Sequence, residues 1–479
     1  MQRQLKLYIL SILFVLMSGL FTIDAQANSA IDNTVKSNLG NTNYSVSIRE
    51  LSSGNLLYEN KGNNPIKPAS TLKLLTSAAA LDILGENYTF TTEVLTDGKV
   101  KDGILYGNLY LRGEGDPTLQ VKDFVTLSYT LKSGGIKQVN GNIYADDSWF
   151  TGAKLTPGIV PEDETYYYAA PITALTLSPN DDYDASTVIV TVNGSKVGAA
   201  PSISAVPNTS GLQLINNAKT VGKGSKNTLK IVRKHNTNQV VISGNIPLGS
   251  STKEWVTMQH PTLSTLYSFK SALVTQGIKF SKDSTIGYLK TPPNAESIAV
   301  KKSQTLKQLM PKFLKLSNNS IADILVKTLG KTQYDIGDWE HGLMVLNEYG
   351  ESIGLNMENW QLEDGSGMSH KNKVSANEQT LLLVNLKQAP FYPVMLSSMP
   401  VAGNSDRLIG GTLKNRFTQA PFRDNIVAKT GSLDEVSTLA GYAKGKSGKW
   451  VTFSILVEHK NNHYRNQIDT IVKKIITTY

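Results

Sequence analysis

Strand-forming patterns bracket this chain at both ends, and that placement constrains its fold more than any other feature. Residues 44–49 alternate apolar with polar side chains. Leu56–Asn60 follows across Ser52-Ser53-Gly54-Asn55, which reads as a β-hairpin. At the far end, residues 425–428, 439–443 and 450–457 read as three strands and 468–476 as an amphipathic final helix. Terminal elements commonly complete one sheet while insertions enter at surface loops, so the simplest organisation is one domain interrupted by a large insert.

The interior pattern fills in that outline. Leu72, Leu75, Ala78, Ala79 and Ile83 recur at helical spacing, with Ser70 as N-cap or first-turn residue and an end near Gly85. From about residue 89 to 293, alternating runs at 107–112, 138–145, 186–192, 228–232 and 240–243 are separated by Gly, Asn and Asp turns. Helical patterns interrupt them at 122–131 and 262–274, and four more follow at 306–316, 320–329, 342–349 and 378–386. The expected fold class is α/β (α+β): an antiparallel sheet flanked by helices, carrying a large mostly β insert. The expected boundaries are 1–27 as an export signal, 28–92 and 298–479 as one domain, and 93–297 as the insert.

The export signal rests on Arg3 and Lys6, an apolar stretch from Leu7 to Phe21, and Ala25-Gln26-Ala27 as a cleavage site. Its removal takes away two cations and Asp24, lowering the formal charge from +9 to +8. An exported basic protein suits association with anionic envelope polymers or a membrane surface. Scattered lysines without a dense basic run argue against nucleic acid. The 479 residues include no cysteine, which excludes disulfides, Cys-ligated metal and a thiol nucleophile. Hydroxyl, carboxylate, His or Lys chemistry remains, with no cofactor and no metal expected.

Ser70-Thr71-Leu72-Lys73 places a hydroxyl and an amine three residues apart at a helix start, where the amine can reach the hydroxyl proton. Ser250 to Lys253 has the same spacing but falls in a loop of the insert. Ser317-Asn318-Asn319 offers a second hydroxyl and an amide between two helical stretches. Lys429-Thr430-Gly431 occurs once, on a strand, where Lys429 points to one face and Gly431 lets a substrate backbone lie close. His459 and His463 read as surface residues, because no Glu stands between them in the H-E-x-x-H pattern. Ser366 reads as part of a glycine turn, and Tyr166-Tyr167-Tyr168 as a partly buried cluster.

In this order, S-x-x-K, S-x-N and K-T-G form the set found in β-lactamases and penicillin-binding proteins. The chain resembles the low-molecular-mass class C penicillin-binding proteins, the D-alanyl-D-alanine carboxypeptidase/endopeptidase family. Residues 113–119 (GEGDPTL), 146–150 (DDSWF), 170–175 and 364–369 (DGSGMS) extend the likeness over the mature chain, although His370 stands where the family usually has Arg. The resemblance implies a penicilloyl-serine transferase fold. It also implies Ser70 as nucleophile, Lys73 as base, Ser317 as proton relay and Asn319 as the residue positioning Lys73 and substrate. Backbone N–H groups of Ser70 and Ser432 would form the oxyanion hole, and Lys429, Thr430 and Ser432 would bind the substrate carboxylate. Asp146 matches the position that meets the free amine of a diaminopimelate side chain. The implied partners are peptidoglycan stem peptides, with β-lactams as covalent inhibitors. A β-lactamase-like hydrolase would deacylate fast, and a non-catalytic envelope-binding protein would not acylate.

Overall fold

In the computed structural model, residues 28–460 and 463–479 are described; the expected export signal lies outside them. The chain divides into two compact units. One comprises the described residues up to Leu72 with Gly350–Gln361 and Lys371–Tyr479, and the other comprises Lys73–Tyr349 with Leu362–His370.

The first unit is built on a five-stranded antiparallel sheet in the order Leu56–Asn60, Asn43–Glu50, Trp450–Glu458, Val436–Lys444, Ile426–Leu433. The two chain ends therefore do meet in one sheet, with Asn43 opposite Glu458 and Glu50 opposite Val451. Successive side chains of a strand point to opposite faces, so the S-V-S-I run serves two layers. Val46 and Ile48 join Phe453, Ile455 and the apolar face of the final helix, Arg465–Thr478. Ser45 and Ser47 face the helix Ala376–Leu386, where Ser47 Oγ pairs with Thr380 Oγ1 at 2.9 Å. A helix over residues 28–39 completes the apolar layer through Ile31, Val35 and Leu39. It was not anticipated, because three apolar residues among polar ones make a weak periodic signal, and burial against the sheet supplies its stability.

The second unit combines several small sheets with helices. A five-stranded mixed sheet runs Ile286–Tyr288, Ile143–Asp146, Leu109–Gly113, Thr91–Thr96, Glu296–Lys302. The 138–145 run, expected as one strand, is two: Gln138–Asn140 and Ile143–Asp146 belong to different sheets. The break falls at Gly141, whose Cα packs so tightly on the Gly107 carbonyl that a side chain would collide with it. Helices Val121–Ser133 and Pro261–Thr275 cover the core, with Phe124 and Phe269 ring centroids 5.5 Å apart. Helices Lys73–Ile83, Leu306–Lys315 and Asn319–Tyr334 pack together and position the groups described next.

Candidate active site

Lys73 is the first residue of its helix and is completely buried. Its Nζ donates to Asn319 Oδ1 at 2.7 Å and to the Ser366 carbonyl at 2.6 Å. Burial pulls this amine down to about 8, opposed by the negative charges of Asp323 and Asp364.

Asn319 is placed by its neighbour. Asn318 is the N-cap of Asn319–Tyr334, its Oδ1 accepting from Ile321 N at 2.9 Å while its amide donates to Asp182 O and Asp184 Oδ1. The cap fixes where the helix begins, and the Asn319 amide donates to the Tyr168 carbonyl at 2.9 Å. Ser317 precedes the cap with φ of 62°, a left-handed conformation that costs a non-glycine residue roughly 1–3 kcal/mol. The sequence pattern marked Ser317 and Asn319 but not the residue between them.

The D-G-S-G stretch contributes a carbonyl rather than a nucleophile. Gly365 N donates to Asp323 Oδ1 at 3.1 Å, and its carbonyl accepts from Thr76 Oγ1 at 2.7 Å. Asp364 takes Gly367 N and Ser369 N, each at 2.6 Å, closing a turn in which Gly367 has φ of 83°. A side chain on Gly365 would strike Val326 and come within 3.1 Å of Ala322 O, so glycine is required for the close approach. Asn319, Asp323 and Lys327 occupy successive turns of one helix face. Asp323 also accepts from Thr156 Oγ1 at 2.9 Å, and burial together with Asp364 raises it to about 7. Lys327 Nζ donates to the carbonyls of Thr151 and Ala153. Asp323 was missed in the sequence, although its spacing of four from Asn319 on a helix was there to be read.

The other unit carries the remaining groups. Ser70 is half-buried in the 3-10 turn Ala69–Leu72, which passes directly into the Lys73–Ile83 helix. Ser70 is therefore a first-turn residue, the second of the two expected placements. Ala69 has φ of 47°. Thr71 Oγ1 donates to Pro68 O at 2.7 Å and accepts from Gln379 Nε2 at 3.0 Å, and Ser454 Oγ donates to Gln379 Oε1 at 2.8 Å. This buried chain holds the turn from beneath, and Gln379 was not foreseen.

Lys429, Thr430 and Ser432 lie on the strand Ile426–Leu433, which packs on that turn. Lys429 is fully buried with Nζ donating to the Thr430 carbonyl at 2.9 Å. Thr430 Oγ1 donates to Thr412 Oγ1, and exposed Ser432 accepts from Arg465 at 3.2 Å. The missing side chain of Gly431 makes room for protein rather than ligand: a Cβ there would strike Thr438 Oγ1 and stand 2.8 Å from Pro68 O.

Asp146 is 2% exposed, and its oxygens accept from Ser148 N at 3.0 Å and Thr291 N at 2.8 Å. Its carboxyl lies below its ordinary value: burial pushes it up, but these hydrogen bonds outweigh it. Of the second S-x-x-K, Ser250 stays in the loop while its lysine enters a strand. Lys253 lies in the strand Ser251–Thr257, not at a helix start beside its serine. His459 and His463 are exposed. Tyr166 and Tyr168 stack at 5.5 Å, and the cluster's main chain serves Asn319.

This frame is of the penicilloyl-serine transferase type. The crystal structure of penicillin-binding protein 4 (dacB) from Haemophilus influenzae matches it with a TM-score of 0.81 at 23% identity, over 93% of this chain and 98% of that one. The same protein complexed with a β-lactam matches at 0.74 over the same shares, again at 23% identity. In sequence, the D-alanyl-D-alanine carboxypeptidase of Actinomadura sp. is 34% identical over 419 residues, 86% of this chain and 77% of that protein. DacB of Haemophilus influenzae is 25% identical over 474 residues, 96% of this chain and 94% of that protein. The profile of the D-Ala-D-Ala carboxypeptidase 3 (S13) family matches residues 27–477. The chain belongs to that family.

Proposed function

We propose that this protein cleaves next to a D-alanine carbonyl in peptidoglycan stem peptides, as a serine carboxypeptidase, endopeptidase or both, through an acyl-enzyme on Ser70. The observation that carries this reading is the buried amine of Lys73. An ordinary lysine is protonated at neutral pH and cannot take a hydroxyl proton; one pulled down to about 8 can. Lys73 removes the Ser70 proton as the oxygen attacks, and Ser317 passes a proton to the departing amine. Asn319 holds the Lys73 amine and the substrate amide. The N–H groups of Ser70 and Ser432 stabilise the oxyanion. Lys429, Thr430 and Ser432 bind the terminal carboxylate, and water releases the acyl group. Asp146, kept ionised by two backbone amides, faces the side-chain amine of the stem peptide, sharing its oxygens with those amides.

β-Lactams acylate the same serine, consistent with a relative crystallised in complex with one. No helix among the described residues is long and apolar enough to cross a membrane. The expected export signal and the basic charge support an extracytoplasmic protein at the cell envelope, held in part by anionic polymers.

The test is incubation with penicillin and with defined muropeptides, followed by mass analysis. A stable adduct absent from Ser70→Ala, with free alanine or uncrosslinked stems released, is expected. A stoichiometric adduct on Ser70→Ala would remove the nucleophile assignment, and rapid turnover of penicillin would favour a β-lactamase.

A further inference from the structure

The buried carboxylate one helical turn beyond Asn319 has no part in the chemistry above, yet its surroundings lead back to the base. Asp323 is 1% exposed. It accepts from Gly365 N at 3.1 Å, and the carbonyl of the next residue, Ser366, accepts from Lys73 Nζ at 2.6 Å. The other acceptor of that amine, Asn319, is carried by the same helix four residues earlier. One helix face thus supplies one acceptor for Lys73 directly and fixes the second through a single peptide unit.

We propose that Asp323 is a positioning residue for the general base: it holds the Gly365-Ser366 peptide against Lys73 and sets, by its charge, the pH at which that amine becomes free to accept a proton. This rests on the reading of Lys73 as base. The charged groups around the pair are Asp364, from the loop, and Lys327, one turn further along the helix. Asp364 accepts from Gly367 N and Ser369 N, and Lys327 is held by the Thr151 and Ala153 carbonyls. Asp323 is the carboxylate on the Asn319 face itself. A negative charge beside an ammonium favours the protonated form, so removing it lets the amine lose its proton at lower pH.

The experiment is the second-order rate of acylation by a fluorescent penicillin, from pH 5.5 to 9.5, on the full chain and on variants checked by thermal melting. Asp323→Asn keeps an acceptor for Gly365 N but no charge; its acidic limb is expected to move down by about one pH unit. Asp323→Glu keeps the charge but displaces it; its limb should stay near that of the parent while the plateau falls about tenfold. An Asn variant with an unmoved limb, or a Glu variant whose limb moves as far as that of Asn, overturns the proposal. Lys73→Arg separates the two levels of argument. If it is inactive while Asp323→Asn leaves the limb in place, only the proposal fails. If it acylates near-normally, the base assignment fails and the proposal with it.

Discussion

Lys73 Nζ lies 2.7 Å from Asn319 Oδ1, across 246 positions of sequence. That contact joins the lysine of S-x-x-K to the asparagine of S-x-N inside a single compact unit. Its consequences are chemical, because the acceptor is a neutral amide: it orients the amine without adding a charge that would hold the proton on.

The pH profile of acylation follows from the depressed amine. As the proposed base, Lys73 must be neutral to act, and burial brings its titration to about 8, so the rate of penicillin acylation should rise with pH and level off above that value. Lys73→Arg, always protonated, should lose about a thousandfold across the whole range. Stopped-flow or quenched acylation kinetics read both.

Asn319→Asp puts a carboxylate where the amide accepts from Lys73. It should move the acidic limb upward in pH, the opposite direction to Asp323→Asn, because the new charge stabilises the ammonium. It also loses the donor to the Tyr168 carbonyl. A limb that moves down would contradict the placement of this side chain beside the amine.

Gln379→Leu cuts the chain from Ser454 to Thr71 that supports the Ser70 turn. Leaving the buried Ser454 hydroxyl without its acceptor costs about 1–3 kcal/mol, visible in urea unfolding. Acylation should slow at least severalfold at every pH, with no movement of the limb, since no charge changes.

Gly365→Ala forces a methyl group against Val326 and Ala322 O. About 1–3 kcal/mol of stability should be lost. The shifted Ser366 carbonyl should reduce acylation as well, and a variant as stable and as fast as the parent would show that the loop has room to move.

Asp146→Asn should slow release from a stem peptide bearing a free side-chain amine about tenfold more than from one lacking it. Paired assays on the two peptides measure the ratio. Equal losses would assign Asp146 to holding the Ser148 and Thr291 amides alone.

Much of this frame was legible residue by residue. The five strands of the first sheet and the helix carrying Lys73 follow from alternation and helical spacing, which act over a few residues. The helix at 28–39 was not, since its apolar face has meaning only against the sheet that covers it. The split at Gly141 was hidden for a similar reason: the glycine answers to Gly107, a contact that no local pattern encodes.

The candidate reactive groups were readable in the order of residues: a hydroxyl and an amine three residues apart, a second hydroxyl and an amide at a helix start, and a lysine on a strand. How these groups are held follows from long-range packing. Burial fixes the proton affinity of Lys73, the Ser366 carbonyl and Asp323 set its surroundings, and Gln379 steadies the turn beneath Ser70. Bonding order along the chain specifies which atoms are present. Desolvation and hydrogen-bond partners depend on what lies nearby in space, and those neighbours come from segments hundreds of residues away.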